Sequence, residues 1–241
     1  MKFPVSFLFL IILFSCSKNS STTTTTPPVY IPPVVVPDSV LTLTVNQNQP
    51  GYIIPANFQG FSYEMNQLSA APTYLNASNS VLIQLMRNLG SGVIRFGGNS
   101  SDALTWTNGP RTGSTPANSL TTTEVDNISG FSKALGWPVI FGLDMGIFDS
   151  ARAASEATYV YNSLQNNLMA LQFGNEPDGY HSWNPVRAST YSESNYETDW
   201  NAYYTAVHNR VPAAPLAGPD VAYQSAWVAS FAGNEGKILN S

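Results

Sequence analysis

Apolar and polar positions follow two alternating periods from residue 58 onward. Short apolar runs of strand length are each followed by a segment with apolar residues at helical spacing, a rhythm typical of a parallel sheet joined by crossover helices. The segment 150–164 is an example, because Ala153, Ala157 and Val160 fall on one helical face. The pattern predicts strands at 58–63, 92–96, 138–143, 168–173 and 215–221, and helices at 80–89, 121–135, 150–164, 198–211 and from about Ser225.

Polar residues follow four of the predicted strands and bear on the choice of architecture. These residues are Glu64, Arg95 with Asn99, Asp144, and Asn175 with Glu176. A (β/α)8 barrel carries its active site on the face formed by the carboxyl ends of its strands, so the pattern favours a TIM barrel. The doubly wound sheet is the competing architecture, but no glycine-rich phosphate loop follows the first predicted strand.

The number of strands predicts that the barrel is incomplete. A barrel of this kind takes about 250 residues, whereas 39–241 contains five predicted βα strands. Parallel strands with open edges are unfavourable, so we expect an α/β fold holding about the first five βα units of a TIM barrel. A complete but smaller open sheet is the alternative. Alternation of apolar residues with Thr over 40–45 predicts one additional strand before the barrel.

The first 38 residues are predicted to be a leader and a tether. Lys2 precedes an apolar run that is too short to span a bilayer and that ends at Ser15 and Cys16. This arrangement resembles a bacterial lipoprotein signal peptide at 1–16, with Cys16 lipidated; an ordinary secretory signal is the alternative. Residues 17–38 are rich in Ser and Thr and then in Pro, which predicts a linker. We expect an exported protein, lipid-anchored to the bacterial cell envelope at the outer membrane or cell surface.

Composition narrows the classes of partner. The net charge is −5, so binding to nucleic acid is not expected. Aromatic residues make up 12% and charged residues 10% of the chain, which predicts a real core and a surface suited to carbohydrate. The chain has two histidines, His181 and His208, which are far apart in the sequence, so we expect neither a metal site nor a cofactor.

The segment 172–178, QFGNEPD, carries the main prediction of chemistry. Glycoside hydrolysis needs a carboxylic acid, held rigidly and partly buried, to protonate the leaving oxygen. Glu176 follows a buried strand and is the candidate general acid/base. Asn175 is placed to hydrogen-bond the 2-hydroxyl of the sugar. The alternative is that Glu176 is a solvated residue at the start of a loop.

Four further residues are candidates for binding sugar. After the strand that ends at Arg95, two glycines allow a tight turn, and Asn99 and Asp102 can then reach sugar hydroxyls. Asp102 can instead be a helix N-cap. Glu64 can bind a hydroxyl or lie at the surface, and His181 can line a subsite beside Trp183 or pack within its loop.

Three motifs together resemble glycoside hydrolase family 79, the β-glucuronidase and heparanase-like enzymes. They are GFSYE at 60–64, RFGGNSSD at 95–102 and GNEPD at 174–178. The Asn-Glu-Pro element is shared by a clan of retaining (β/α)8 glycosidases, whereas the GGNSSD run points to the family. The resemblance implies a retaining mechanism, with Glu176 as acid/base, Asn175 at the 2-hydroxyl, and Asp102 and Glu64 at sugar-binding positions. It also implies a C-terminal β-domain, to which the strand over 40–45 belongs.

The same resemblance places the nucleophile, a second Glu, on a later strand. No position of this chain is predicted to take that role, because Glu193, Glu197 and Asp199 fall in or near an outer helix and Glu235 in a terminal tail. We therefore expect this chain alone to be inactive, and its parent to be a monomeric β-glucuronidase-type hydrolase of uronic-acid-containing glycans. The alternatives are another retaining clan enzyme, such as a xylanase, glucosylceramidase or arabinofuranosidase, and a non-catalytic sugar-binding protein of the cell surface.

Overall fold

The structure is a computed structural model that describes residues 42–46, 48–49 and 51–239, the last three by their backbone alone. The predicted leader at 1–16, with Cys16, and the predicted linker at 17–38 lie outside the described residues. Contacts group the chain from Tyr52 onward into one unit, which contains every strand and helix described below.

The part of the chain that the structure describes contains seven strands. They are β1 (Gly60–Glu64), β2 (Val93–Gly97), β3 (Thr105–Thr107), β4 (Ser119–Thr121), β5 (Val139–Leu143), β6 (Leu168–Phe173) and β7 (Leu216–Ala217). Five of them form a parallel sheet in the order β1-β2-β5-β6-β7, while β3 and β4 form a small parallel pair. Spatial order in the main sheet follows chain order without the reversal of a doubly wound sheet. The α/β class with a parallel sheet is therefore confirmed, and closure into a barrel stays a prediction.

The described residues contain six α-helices, five between the strands and one after the last strand. They are α1 (Gln67–Ala70), α2 (Ser80–Arg87), α3 (Thr122–Leu135), α4 (Ser150–Leu164), α5 (Glu193–His208) and α6 (Ser225–Leu239). Helix α3 has a signal at each end. Thr121 and Glu124 form a capping box at its start, and Gly136 adopts φ +85° at its end. Asp149 caps α4 by accepting a hydrogen bond from the Arg152 amide at 2.9 Å.

The hydrophobic core lies between the main sheet and these helices. Strand β2 shows how the sheet divides, because Ile94 and Phe96 are completely buried toward the core while Arg95 projects to the other face. Phe173 at the end of β6 packs against Trp200 and Tyr203 of α5, with ring centroids 5.4 and 5.7 Å apart. In the ranges that the structure describes, no helix combines the length and hydropathy that a membrane crossing requires.

Several predicted boundaries differ from the structure for local reasons. Thr42–Val45 is exposed and carries no assigned strand, and the strand predicted at 40–45 as part of a C-terminal β-domain stays a prediction. Strand β7 holds two residues instead of seven, since Pro219 has no N–H to donate to a sheet. Helix α5 begins at Glu193 rather than 198, because Ser192 and Asn195 form a capping box.

Candidate active site

Polar side chains collect at one edge of the main sheet. Because all five strands are parallel, their carboxyl ends meet at that edge. The edge carries Glu64 from β1, Asn99 after β2, Asp144 after β5, Asn175 and Glu176 after β6, and Asp220 after β7. The sequence analysis named each of these polar residues as following a strand, except Asp220.

Glu176 is half-buried at this edge, directly after β6, and has a left-handed backbone with φ +49°. Its amide donates to the carbonyl oxygen of Asp220 at 3.0 Å, which ties the end of β6 to the end of β7. Among the described residues, no side chain hydrogen-bonds its carboxylate. Burial raises the pKa of Glu176, the charges of Asp220 and Asp178 raise it further, and the Arg95 guanidinium lowers it. A raised pKa is the direction of shift that a general acid requires.

Asn175 is buried and held in one orientation. Its side-chain oxygen accepts from Arg95 Nη2 at 2.8 Å and from the Gly98 amide at 3.1 Å. Its Nδ2 donates to Asn99 Oδ1 at 2.9 Å, which uses one of two N–H groups. The second N–H remains to donate to a ligand hydroxyl. The structure thus brings the predicted pair Asn175 and Asn99 together, with Asn99 on the exposed side.

Arg95 links several polar side chains on the face of the sheet opposite the helices. Its guanidinium donates to Ser62 Oγ at 3.0 Å, to Gln172 Oε1 at 3.1 Å and to Asp220 Oδ2 at 2.6 Å. Gln172 Nε2 also donates to the same oxygen of Asp220, at 2.5 Å. The network joins β1, β2, β6 and the end of β7, and it fixes Asn175 from below.

Asp220 is a site residue that the sequence reasoning missed. Burial raises the pKa of Asp220, while its ion pair with Arg95 lowers it. Its backbone is left-handed, with φ +53°. The available signal was its position at the end of a predicted strand, directly after Gly218 and Pro219. The partner of that carboxylate could not be read from local sequence.

Asp102 is buried beneath this edge of the sheet. Its side chain has no exposed surface, and Tyr180 Oη donates to it at 2.7 Å. The amides of Met145, Gly146 and Asn175 donate to the same carboxylate at 3.2, 3.2 and 3.3 Å. Burial raises the pKa of Asp102 to about 7. The predicted direct contact with sugar is therefore replaced by a supporting role, since four donors enclose both oxygens. The N-cap alternative also fails, because Asp102 lies inside the 3-10 turn Asn99–Ala103.

Glu64 and His181 are both exposed at the edge of the sheet. Glu64 Oε2 accepts from the amide and hydroxyl of Ser100 at 2.9 and 2.6 Å. Gly98, with φ +74°, permits this approach, because a Cβ at that position would collide with the Glu64 carboxylate. His181 lies in the loop after β6. Contact of either residue with a sugar stays a prediction.

The carboxylates excluded as nucleophiles lie in the outer helices. Glu193, Glu197 and Asp199 belong to α5, and Glu235 belongs to α6 rather than to a tail. Asp199 hydrogen-bonds Tyr191 at 3.1 Å, and Glu235 accepts from Asn201 at 2.9 Å. Within 42–46, 48–49 and 51–239, no group of three or more His, Cys, Asp and Glu side chains could hold a metal ion.

Comparison with known proteins finds similarity among solved structures only. No protein-family model matches the chain, and no curated protein sequence matches it. Among solved structures, the chain is similar to a 4-O-α-L-rhamnosyl-β-D-glucuronidase from Fusarium oxysporum 12S in complex with Rha-GlcA, at 17% identity and a TM-score of 0.43. The similarity covers 78% of this chain and 36% of that enzyme, so this chain spans about a third of its length.

Proposed function

We propose that the protein is a retaining β-glycosidase in which Glu176 is the general acid/base. The observation that carries the proposal is the setting of Glu176: it follows a buried parallel strand, its carboxyl is free of side-chain partners among the described residues, and burial raises its pKa. Asn175 beside it is fixed by Arg95 and keeps one N–H for a ligand. An acid and an oriented amide donor, side by side, suit protonation of a glycosidic oxygen next to a sugar 2-hydroxyl.

The proposed reaction has two steps. Glu176 first donates its proton to the leaving oxygen while a second carboxylate attacks the anomeric carbon, and it then takes a proton from the water that releases the sugar. That second carboxylate stands about 5–5.5 Å from the acid in a retaining enzyme. We assign it to a residue outside the described part of the chain, because the carboxylates of α5 and α6 lie in the outer helices.

The proposed substrate class is a uronic-acid-containing glycan. It rests on the three motifs at 60–64, 95–102 and 174–178, which resemble the β-glucuronidase family. Export and a lipid anchor at Cys16 belong to the same proposal, since an enzyme that degrades large glycans must meet them outside the cell. The predicted tether at 17–38 would hold the catalytic domain away from the membrane.

The test uses the full-length protein and its Glu176→Gln variant. We expect hydrolysis of aryl β-D-glucuronides in preference to aryl β-glucosides and β-xylosides. In Glu176→Gln, kcat/KM for a natural glycan should fall by about 100-fold or more, because the proton donor is lost. Aryl substrates with a good leaving group need no such donor, so their first step should persist. Azide should then rescue turnover and give a β-glycosyl azide.

Glu197→Gln is the matched control, since it removes a carboxylate from the outer helix α5 and should leave kcat/KM unchanged. Full activity of Glu176→Gln on an unactivated glycan would refute the proposal. Preference for a neutral sugar would reject the glucuronidase assignment and retain the glycosidase.

A further inference from the structure

Two exposed aromatic rings pack together on the loops that follow β6 and β7. Trp183, in the loop after β6, is 44% exposed, and Tyr223, in the loop after β7, is 79% exposed. Their ring centroids are 5.9 Å apart and their planes are perpendicular, at 89°. The pair therefore forms an aromatic corner open to solvent at the same edge of the sheet as the proposed acid.

Trp183 is held on the turn that follows Glu176. The Gly179 amide donates to the Glu176 carbonyl oxygen at 2.8 Å, and the carbonyl oxygen of Gly179 accepts from the amides of Ser182 and Asn184 at 2.9 and 3.0 Å. The indole lies directly against Gly179, where any side chain larger than hydrogen would collide with it. The ring is thus packed on one side and open on the other.

Tyr223 is held by a buried carboxylate from the same turn. Asp178 is 3% exposed and accepts from the amides of Ala222, Tyr223 and Gln224 at 2.9, 2.8 and 2.9 Å. These three bonds fasten the loop after β7 to the turn after β6. The two rings are therefore positioned by fixed backbone, although neither is buried.

The polar atoms of both rings are free for a ligand. Within the described residues, neither Trp183 Nε1 nor the Tyr223 hydroxyl forms a hydrogen bond. An open aromatic face with a nearby unused donor matches the surface of a pyranose, which presents apolar C–H groups on one face and hydroxyls at its rim.

We propose that Trp183 and Tyr223 form a subsite for the sugar on the leaving-group side of the bond that is cleaved. The candidate sugar-binding residues lie on the β1 and β2 side of Glu176; they are Asn175, Asn99 and Glu64. On this side we place the sugar whose 2-hydroxyl accepts the hydrogen bond from Asn175. The aromatic pair lies toward β7, on the other side of Glu176. The substrate is then an oligosaccharide or polysaccharide, not a glycoside of a small aglycone; this inference rests on the proposed function.

The experiment compares two substrates in full-length Trp183→Ala, Tyr223→Ala and wild type. One is whichever hexasaccharide of hyaluronan, xylan or cellulose the wild type cleaves fastest; the other is the matching β-glycosyl fluoride, which places no ring on the leaving-group side. Each variant should lose about tenfold in kcat/KM on the hexasaccharide, from the lost stacking, and little on the fluoride. Trp183→Phe should recover part of the loss, and Tyr52→Ala, which removes a ring that is fully exposed away from the sheet edge, should change neither.

Unchanged cleavage of the hexasaccharide in both alanine variants would overturn the subsite, and so would equal losses on both substrates. If the wild type hydrolyses no glycoside, the proposed function fails, and calorimetric binding of the three hexasaccharides then tests the subsite by itself. Binding that weakens about tenfold in both alanine variants supports it. Absence of binding to the wild type, or equal binding to all variants, overturns it.

Discussion

Two residues at the candidate site hold a backbone conformation that is unfavourable for side chains other than glycine. Glu176 and Asp220 both have positive φ, at a cost of about 1 kcal/mol each. Their left-handed turns are joined by the bond from the Glu176 amide to the Asp220 carbonyl. Arg95 offsets the cost by pairing with the Asp220 carboxylate. The two left-handed turns, one after β6 and one after β7, therefore fix the backbone position of Glu176.

Asp220 should set the pH range over which Glu176 works as an acid. Its charge raises the pKa of Glu176, while Arg95 lowers it. Asp220→Asn removes the first effect and leaves Arg95 without its counter-charge, so both changes lower the pKa of Glu176. Because the activity of a general acid is lost as pH rises through its pKa, the alkaline limb of kcat/KM should move to lower pH.

The measurement is the pH profile of glycoside hydrolysis by the full-length protein. Asp126→Asn, a change on the exposed face of α3, is the control and should leave the limb in place. A limb that stays fixed or moves to higher pH in Asp220→Asn would contradict the assignment.

At the scale of the element, local sequence signals determine where α3 begins and ends. Its capping box and its left-handed C-terminal glycine bracket the helix that leads into β5. Two glycines of this segment differ in what they require. Gly136 has φ +85°, whereas Gly130 lies in regular helix, where an added Cβ meets Ala77 Cβ at an ordinary 3.4 Å.

We expect opposite effects from the two alanine substitutions. Gly136→Ala should lower the free energy of unfolding by about 1 kcal/mol, because alanine is strained in the left-handed region. Gly130→Ala should raise it by about 0.5–1 kcal/mol, through higher helix propensity. Urea unfolding followed by circular dichroism measures both. Destabilisation of equal size at the two positions would show that packing, not backbone conformation, decides at Gly136.

At the scale of the whole molecule, burial raises the pKa of several acids. Burial raises the pKa of Asp102 to about 7, of Asp144 to about 6 and of Glu156 to about 8. In the unfolded chain these groups ionise near pH 4. Their folded pKa values are higher, so the stability they contribute is complete below pH 4 and is lost as pH rises through 6 to 8.

Glu156→Gln should remove the part of the pH dependence of stability that extends to the highest pH, because Glu156 has the highest pKa of the three acids. Glutamine is neutral and close in shape to a protonated glutamate, so the buried site no longer has to ionise. The unfolding midpoint of the variant at pH 8 should exceed that of the wild type by about 4 °C or more, with a much smaller difference at pH 5. Thermal unfolding of the chain across pH 5 to 8 measures this, with Asp126→Asn as control. A constant offset at all pH values would show that ionisation of Glu156 is not the cause.

The sequence by itself determined the alternation of strands and helices and the position of Asn175 and Glu176 at a strand end. It could do so because periodicity, capping residues and glycine stops act over fewer than about ten neighbours. The short strands β3 and β4 left no periodic signal, since each has three residues.

Only the tertiary structure decided which side chains meet. Arg95 and Asp220 are 125 positions apart, and sheet order and register bring them together. The same packing buries Asp102 beneath the edge of the sheet and sets Trp183 against Tyr223. Residue type and local pattern carry no information on such contacts, because each one depends on how strands far apart in the chain align. The sequence therefore predicted where the candidate catalytic carboxyl of Glu176 lies, and the fold decided what surrounds it.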